Sequence, residues 1–88
     1  MNIVLSGNLR RYTDFEGEVA LNADSIGEAL DKLVKQFPDL KPVVYAADGK
    51  LRAVHRLYLN GDILEGDQSA RKLNSTDELG ILTAVAGG

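Results

Sequence analysis

Few residues of this 88-residue chain are equipped for chemistry. It contains no cysteine, no tryptophan and a single histidine, His55. Without cysteine there is no disulfide, no thiol nucleophile and no thiolate metal ligand. One histidine cannot build a multi-histidine metal site, and no nucleophile or orienting carboxylate stands beside it in sequence. His55 therefore reads as a structural or surface residue. The carboxylates show no metal-ligand spacing. Asp48-Gly49 is a turn signal rather than half of a calcium loop, because the bidentate Glu that closes such a loop is missing. No catalytic residue and no metal ligand is expected.

Charge narrows the partners. Ten Lys+Arg stand against thirteen Asp+Glu, a formal charge of −3. The Arg10-Arg11 pair is too small a basic spot to make a phosphate-backbone binder of an acidic chain, so nucleic acid is not expected. The segment before the first helical pattern, Ala23-Asp24-Ser25, is not a glycine-rich phosphate cradle.

What remains is the ending, Ala84-Val85-Ala86-Gly87-Gly88. Two terminal glycines arise by chance in about half a percent of chains, given ordinary glycine usage. A terminal Gly-Gly is a carboxylate on a slim arm. Lacking Cβ atoms, it can thread a narrow channel and approach a partner's nucleotide closely. The small apolar Ala-Val-Ala before it suits an extended segment laid in a groove. Read by itself the ending is either a frayed, solvated tail, as most termini are, or such an arm, formed by Val85, Ala86, Gly87 and Gly88.

The rest of the chain must hold that arm. With 44% hydrophobic and 26% charged residues the composition is that of an ordinary globular domain, which buries roughly 60–65% of its unfolded surface at this size. Residues 2–7 alternate, with Ile3 and Leu5 on one face, and predict a strand. A turn region through Arg10-Arg11 leads to a second strand near 15–22, with Val19 and Leu21 inward. Ile26, Ala29, Leu30, Leu33, Val34 and Phe37 recur at steps of three and four and predict one amphipathic helix over 25–37. Ser25 with Glu28 fits a capping box, Asp31–Lys35 is spaced for an ion pair, and Pro38 ends the helix. Pro42-Val43-Val44-Tyr45 reads as a short extended piece. A third strand spans 54–60, and Asn60-Gly61 predicts a tight hairpin turn into a return strand at Ile63-Leu64. Residues 65–75 form a polar loop with one helical turn near 69–73. The last strand covers Leu79–Thr83.

This order predicts an α+β domain: a mixed four- to five-stranded sheet with one main helix on one face. The domain spans 1–83, and 84–88 form a flexible tail. Arg56, Tyr58, Gly80 and Leu82 fall on the sheet face opposite the helix. Arg and aromatic residues are favoured interface anchors, so Arg56, Tyr58 and Leu82 are the candidate docking surface. No apolar run reaches membrane-spanning length, and Met1–Gly7 lacks the basic start of a signal peptide. A cytoplasmic protein without membrane contact is expected.

The motif Leu73-x-x-x-Asp77-x-Leu79-x-Ile81-Leu82-x-Ala84-Val85-Ala86-Gly87-Gly88, with Leu57-Tyr58-Leu59-Asn60 before it, resembles the ubiquitin-like β-grasp proteins. Within them the chain is similar to prokaryotic sulfur carriers of the ThiS/MoaD family, and among these to CysO-type carriers. The resemblance implies a protein cosubstrate rather than an enzyme. An adenylating, ubiquitin-activating-like partner would use ATP to activate the Gly88 carboxylate. A sulfur donor, such as a sulfurtransferase, would turn the adenylate into a thiocarboxylate. A partner synthase would accept that sulfur for cysteine or another metabolite. A tail-processing metalloprotease is a further implied partner, and no cofactor is bound tightly. Two alternatives stay open: a protein modifier conjugated through Gly88 to lysines, and a β-grasp binding module.

Overall fold

The computed structural model describes residues 1–5, 7–14, 16–52, 55–66 and 68–83. Ser6, Phe15 and Val54, which the sequence placed in or near strands, lie outside the described residues, as does the whole segment 84–88.

Five strands form one mixed sheet: β1 (Asn2–Leu5), β2 (Glu18–Ala20), β3 (His55–Leu59), β4 (Asp62–Ile63) and β5 (Glu78–Thr83), in the order β2-β1-β5-β3-β4. The first and last strands are central neighbours and run parallel, Ile3 beside Leu79 and Leu5 beside Ile81. The other pairs are antiparallel. A parallel pair needs a long crossover, and α1 (Ile26–Gln36) lies within it.

The alternation of the strands decides which face meets the helix. Ile3, Leu5, Val19, Leu57, Leu59, Leu79 and Ile81 are buried on one side, and α1 adds Ile26, Ala29, Leu30, Leu33 and Val34. Each such side chain contributes about 1.5–3 kcal/mol when fully buried, which makes this layer the main stabilising element.

Helix α1 starts as its sequence predicts. Ser25 Oγ accepts from the Glu28 N–H at 3.2 Å, and the Glu28 carboxylate reaches back to the Asp24 N–H at 3.4 Å. The loop after β4 completes the cap from outside. The Ile26 N–H donates to Arg71 O and the Gly27 N–H to Ser69 O, at 3.0 and 2.8 Å. The strand-like crossing of this loop at Lys72, opposite Ser25, replaces the helical turn expected near 69–73. Gly27 lets the loop pass: a Cβ there would lie 3.1 Å from Ser69 O. The ion pair on α1 is Glu28–Lys32 at 3.3 Å, not Asp31–Lys35. Asp31 instead accepts a hydrogen bond from the Tyr45 hydroxyl at 3.2 Å.

The segment after α1 corrects another expectation. Pro42–Val44 is helical, and only Tyr45 is extended, bridging to Leu51. A short 3₁₀ turn (Pro38–Leu40) leads into a one-turn helix, α2 (Lys41–Val44). Both prolines sit in first turns, where a fixed φ and a missing N–H cost little. Leu40 and Val44, four residues apart, are both fully buried, a helical spacing that the Val-Val-Tyr run concealed. Gly7–Tyr12 is likewise a 3₁₀ helix rather than an open turn. It buries Leu9 and is closed by the buried Thr13, whose hydroxyl lies 2.8 Å from Glu16 O.

Candidate functional site

The sheet face turned away from α1 carries the predicted docking residues. Arg56 pairs with Leu82, and Tyr58 pairs with Gly80, across the antiparallel β3–β5 ladder. On the flanking strands, Val4 stands beside Gly80 and Ile63 opposite Tyr58. Period-two alternation puts Val4, Gly80, Tyr58 and Ile63 in one row across four strands, with Arg56 and Leu82 in the next row along. Leu82 is 44% exposed and Ile63 66%; large apolar residues elsewhere among the described residues are better covered. The structure thus places Arg56, Tyr58 and Leu82 on one face, with Ile63 beside them. The signal for Ile63 was already in the sequence. A two-residue turn at Asn60-Gly61 places Leu59 opposite Asp62 and Tyr58 opposite Ile63.

Gly80 is buried although it lies on the open face. The Tyr58 ring covers it: a Cβ built on Gly80 would overlap the ring atoms. A glycine here lets the ring lie flat on the strand and keeps the face smooth.

A clamp fixes the hairpin to β5. Asn60 and Gly61 both have positive φ, 51° and 91°, as the tight turn requires. The Asn60 side chain donates through Nδ2 to Asp77 Oδ1 at 3.0 Å and accepts the Glu78 N–H at 2.9 Å. Asp77 Oδ2 accepts the Asn74 N–H at 2.8 Å. These bonds, the Asn74 one foremost, hold the Asp77 carboxyl below the usual carboxylate range. Asn60 and Asp77, two letters of the sequence motif, are therefore one structural device.

His55 is buried at the start of β3, opposite Thr83. Its Nε2 lies 2.8 Å from Val43 O, and since a carbonyl only accepts, Nε2 carries the proton. This bond ties α2 to the strand beside β5. A cleft of about 490 Å³ between the start of α1 and residues 49–52 is bordered by both His55 and Asp31, but each already has a partner, Val43 O and the Tyr45 hydroxyl. Burial and the neighbouring Asp31 push the Tyr45 phenol up to about 12. No group of three or more His, Cys, Asp or Glu positioned to hold a metal occurs among the described residues. No helix among them is long and apolar enough to cross a membrane.

Strand β5 therefore does two jobs. It carries Gly80 and Leu82 into the open face, and it leads directly into the segment 84–88. The predicted arm residues Val85, Ala86, Gly87 and Gly88 lie outside the described residues. A family model for ThiS proteins matches residues 3–88, the strands, the helix and the ending together. The chain belongs to the ThiS family. No curated protein sequence matches it. Among solved structures it is similar to small archaeal modifier protein 1 from Haloferax volcanii, with 27% identity and a TM-score of 0.81 over 99% of this chain and 97% of that one. It is also similar to a chain in the Amycolatopsis orientalis BexX/CysO complex, with 26% identity and a TM-score of 0.83 over 99% and 98%. The small archaeal modifier protein 1 of Methanosarcina acetivorans matches at 27% identity and a TM-score of 0.84 over 99% and 94%. The chain thus has the ubiquitin-like β-grasp fold, in a family of small protein carriers or modifiers.

Proposed function

We propose that this chain is a sulfur carrier protein whose reactive group is the carboxylate of Gly88. A resting carboxylate is a poor electrophile. An ATP-using adenylating partner would let a carboxylate oxygen attack the α-phosphorus, with pyrophosphate leaving, to form an acyl adenylate. Hydrosulfide would displace AMP and leave a thiocarboxylate directly; the persulfide of a sulfurtransferase would displace AMP to give an acyl disulfide, from which a thiol releases the thiocarboxylate while forming a disulfide with the donor's sulfur. A partner synthase would take that sulfur for cysteine or another sulfur-containing metabolite. The chain itself supplies the reactive end, the arm 84–88 with Val85, Ala86 and Gly87, and a docking face of Arg56, Tyr58 and Leu82, to which we add Ile63.

The observation that carries this reading is the family match through residue 88, on a fold where β5 joins the open face to that ending. A CysO chain solved in complex with BexX supports a carrier that works by docking to a second protein. The likeness to small archaeal modifier proteins favours a second reading, in which the activated Gly88 is transferred to lysines of target proteins.

Intact mass after expression beside the activating enzyme separates the two. Replacement of one oxygen by sulfur at Gly88 is the expected result for a carrier. Isopeptide-linked adducts of higher mass would instead support the modifier. An unchanged chain in both conditions would overturn both readings.

A further inference from the structure

The clamp at the β3–β4 turn has a chemical consequence of its own. Asn60 precedes Gly61 in an exposed turn. With no Cβ on Gly61, and nothing within 4 Å of where one would stand, no side chain shields the backbone nitrogen that follows the Asn60 side-chain amide. Both ends of that amide are engaged, Nδ2 by Asp77 and Oδ1 by the Glu78 N–H. The Asn60 N–H is itself bonded to Glu78 O at 2.9 Å.

We propose that Asn60 is a deamidation site held shut by Asp77. The step needs only water. The Gly61 nitrogen bonds to Asn60 Cγ, the Cγ–Nδ2 bond breaks, and the nitrogen leaves as ammonia with the proton lost from Gly61. Water opens the resulting succinimide at either carbonyl, giving aspartate or an isoaspartyl linkage at position 60. Ring closure requires Cγ to swing toward the Gly61 nitrogen, which breaks the bonds to Asp77 and Glu78 together. The product sets a second carboxylate against Asp77 where an amide donor stood. The two groups repel and the clamp is lost. That loss falls two residues from the Tyr58–Gly80 contact, so deamidation is a one-way mark that loosens the open face. This inference is independent of the sulfur-carrier reading.

The test follows the mass of the purified full chain at mildly alkaline pH, where deamidation adds about 1 Da, located by peptide mapping. Folding is checked by circular dichroism. The unaltered chain is expected to deamidate at Asn60 slowly when native and much faster in denaturant. Equal rates would overturn the proposal. Asp77→Ala is expected to speed the native reaction about tenfold or more, the weight of a hydrogen bond to a charged acceptor. Asp77→Asn, which keeps an oxygen for Asn74, is the second variant, expected to fall between. A rate unchanged in the folded Asp77 variants would overturn the proposal. So would an equal acceleration in Leu30→Ala, which weakens the core and leaves the clamp intact. Asn60→Asp, mimicking the product, is expected to lower the melting temperature, with the deficit shrinking as acid protonates the carboxylates.

Discussion

The ring of Tyr58 occupies the space that a side chain on Gly80, its partner across β3 and β5, would fill. A methyl group at position 80 has nowhere to go unless the ring lifts. Gly80→Ala is therefore expected to destabilise the domain by about 1–3 kcal/mol, the usual range for overpacking. Chemical denaturation measures this directly. The double variant Gly80→Ala with Tyr58→Ala removes the clash, so its loss should be smaller than the sum of the single losses. Additive losses would mean that the ring does not rest on the strand.

Asp77 makes stability depend on acid. Its carboxyl titrates below its ordinary value of 3.8 because the folded chain bonds to the ionised form. A lowered folded value means that the stabilisation is present above the unfolded value and is lost as pH falls through the folded one. The unaltered protein is expected to lose melting temperature below about pH 4, near the ordinary carboxylate range. Asp77→Asn should be less stable at neutral pH and show a shallower acid decline. Parallel acid profiles would refute the role given to this carboxylate.

Leu30 lies mid-stripe on α1 and is 4% exposed. Leu30→Ala is expected to cost about 2–5 kcal/mol, as transfer and cavity losses combine. A urea titration with an unchanged slope would report a simple loss of stability. A loss well under this range would show that the layer between α1 and the sheet can collapse into the space.

The ending should behave in the opposite way. Among the described residues, the buried core is drawn from positions no later than Ile81. Deleting Gly88, or Gly87→Phe, is expected to leave the melting temperature unchanged and to abolish adenylation by the activating partner. Loss of melting temperature would show that these positions support the fold. Retained adenylation in the deletion would remove Gly88 from the proposed chemistry.

Much of the fold was legible in the chain. The apolar stripe of α1, the capping pair Ser25 and Glu28, and the turn at Asn60-Gly61 are local signals, each complete within a few residues. The misread segment, Pro42–Val44, failed for a related reason. A run of β-branched and aromatic residues has strand propensity, and only the shared burial of Leu40 and Val44 overrides it. The ion pair assigned to Asp31 did not form, and the partner the fold gives it, Tyr45, is distant in sequence.

The sequence by itself determined the main helix, the approximate strands and the Asn60-Gly61 turn, because each depends on spacing or on backbone freedom at single positions, while the return strand sits one residue earlier than expected, at Asp62–Ile63. Only the tertiary structure decided that β1 and β5 lie side by side, and that Tyr58 covers Gly80. It alone showed that Asn60 and Asp77 close on one another and that His55 ties α2 to the strand opposite Thr83. Those relationships join residues separated by long stretches of chain. They form only when the helix layer and the sheet bury their apolar faces together, and no local pattern records that event.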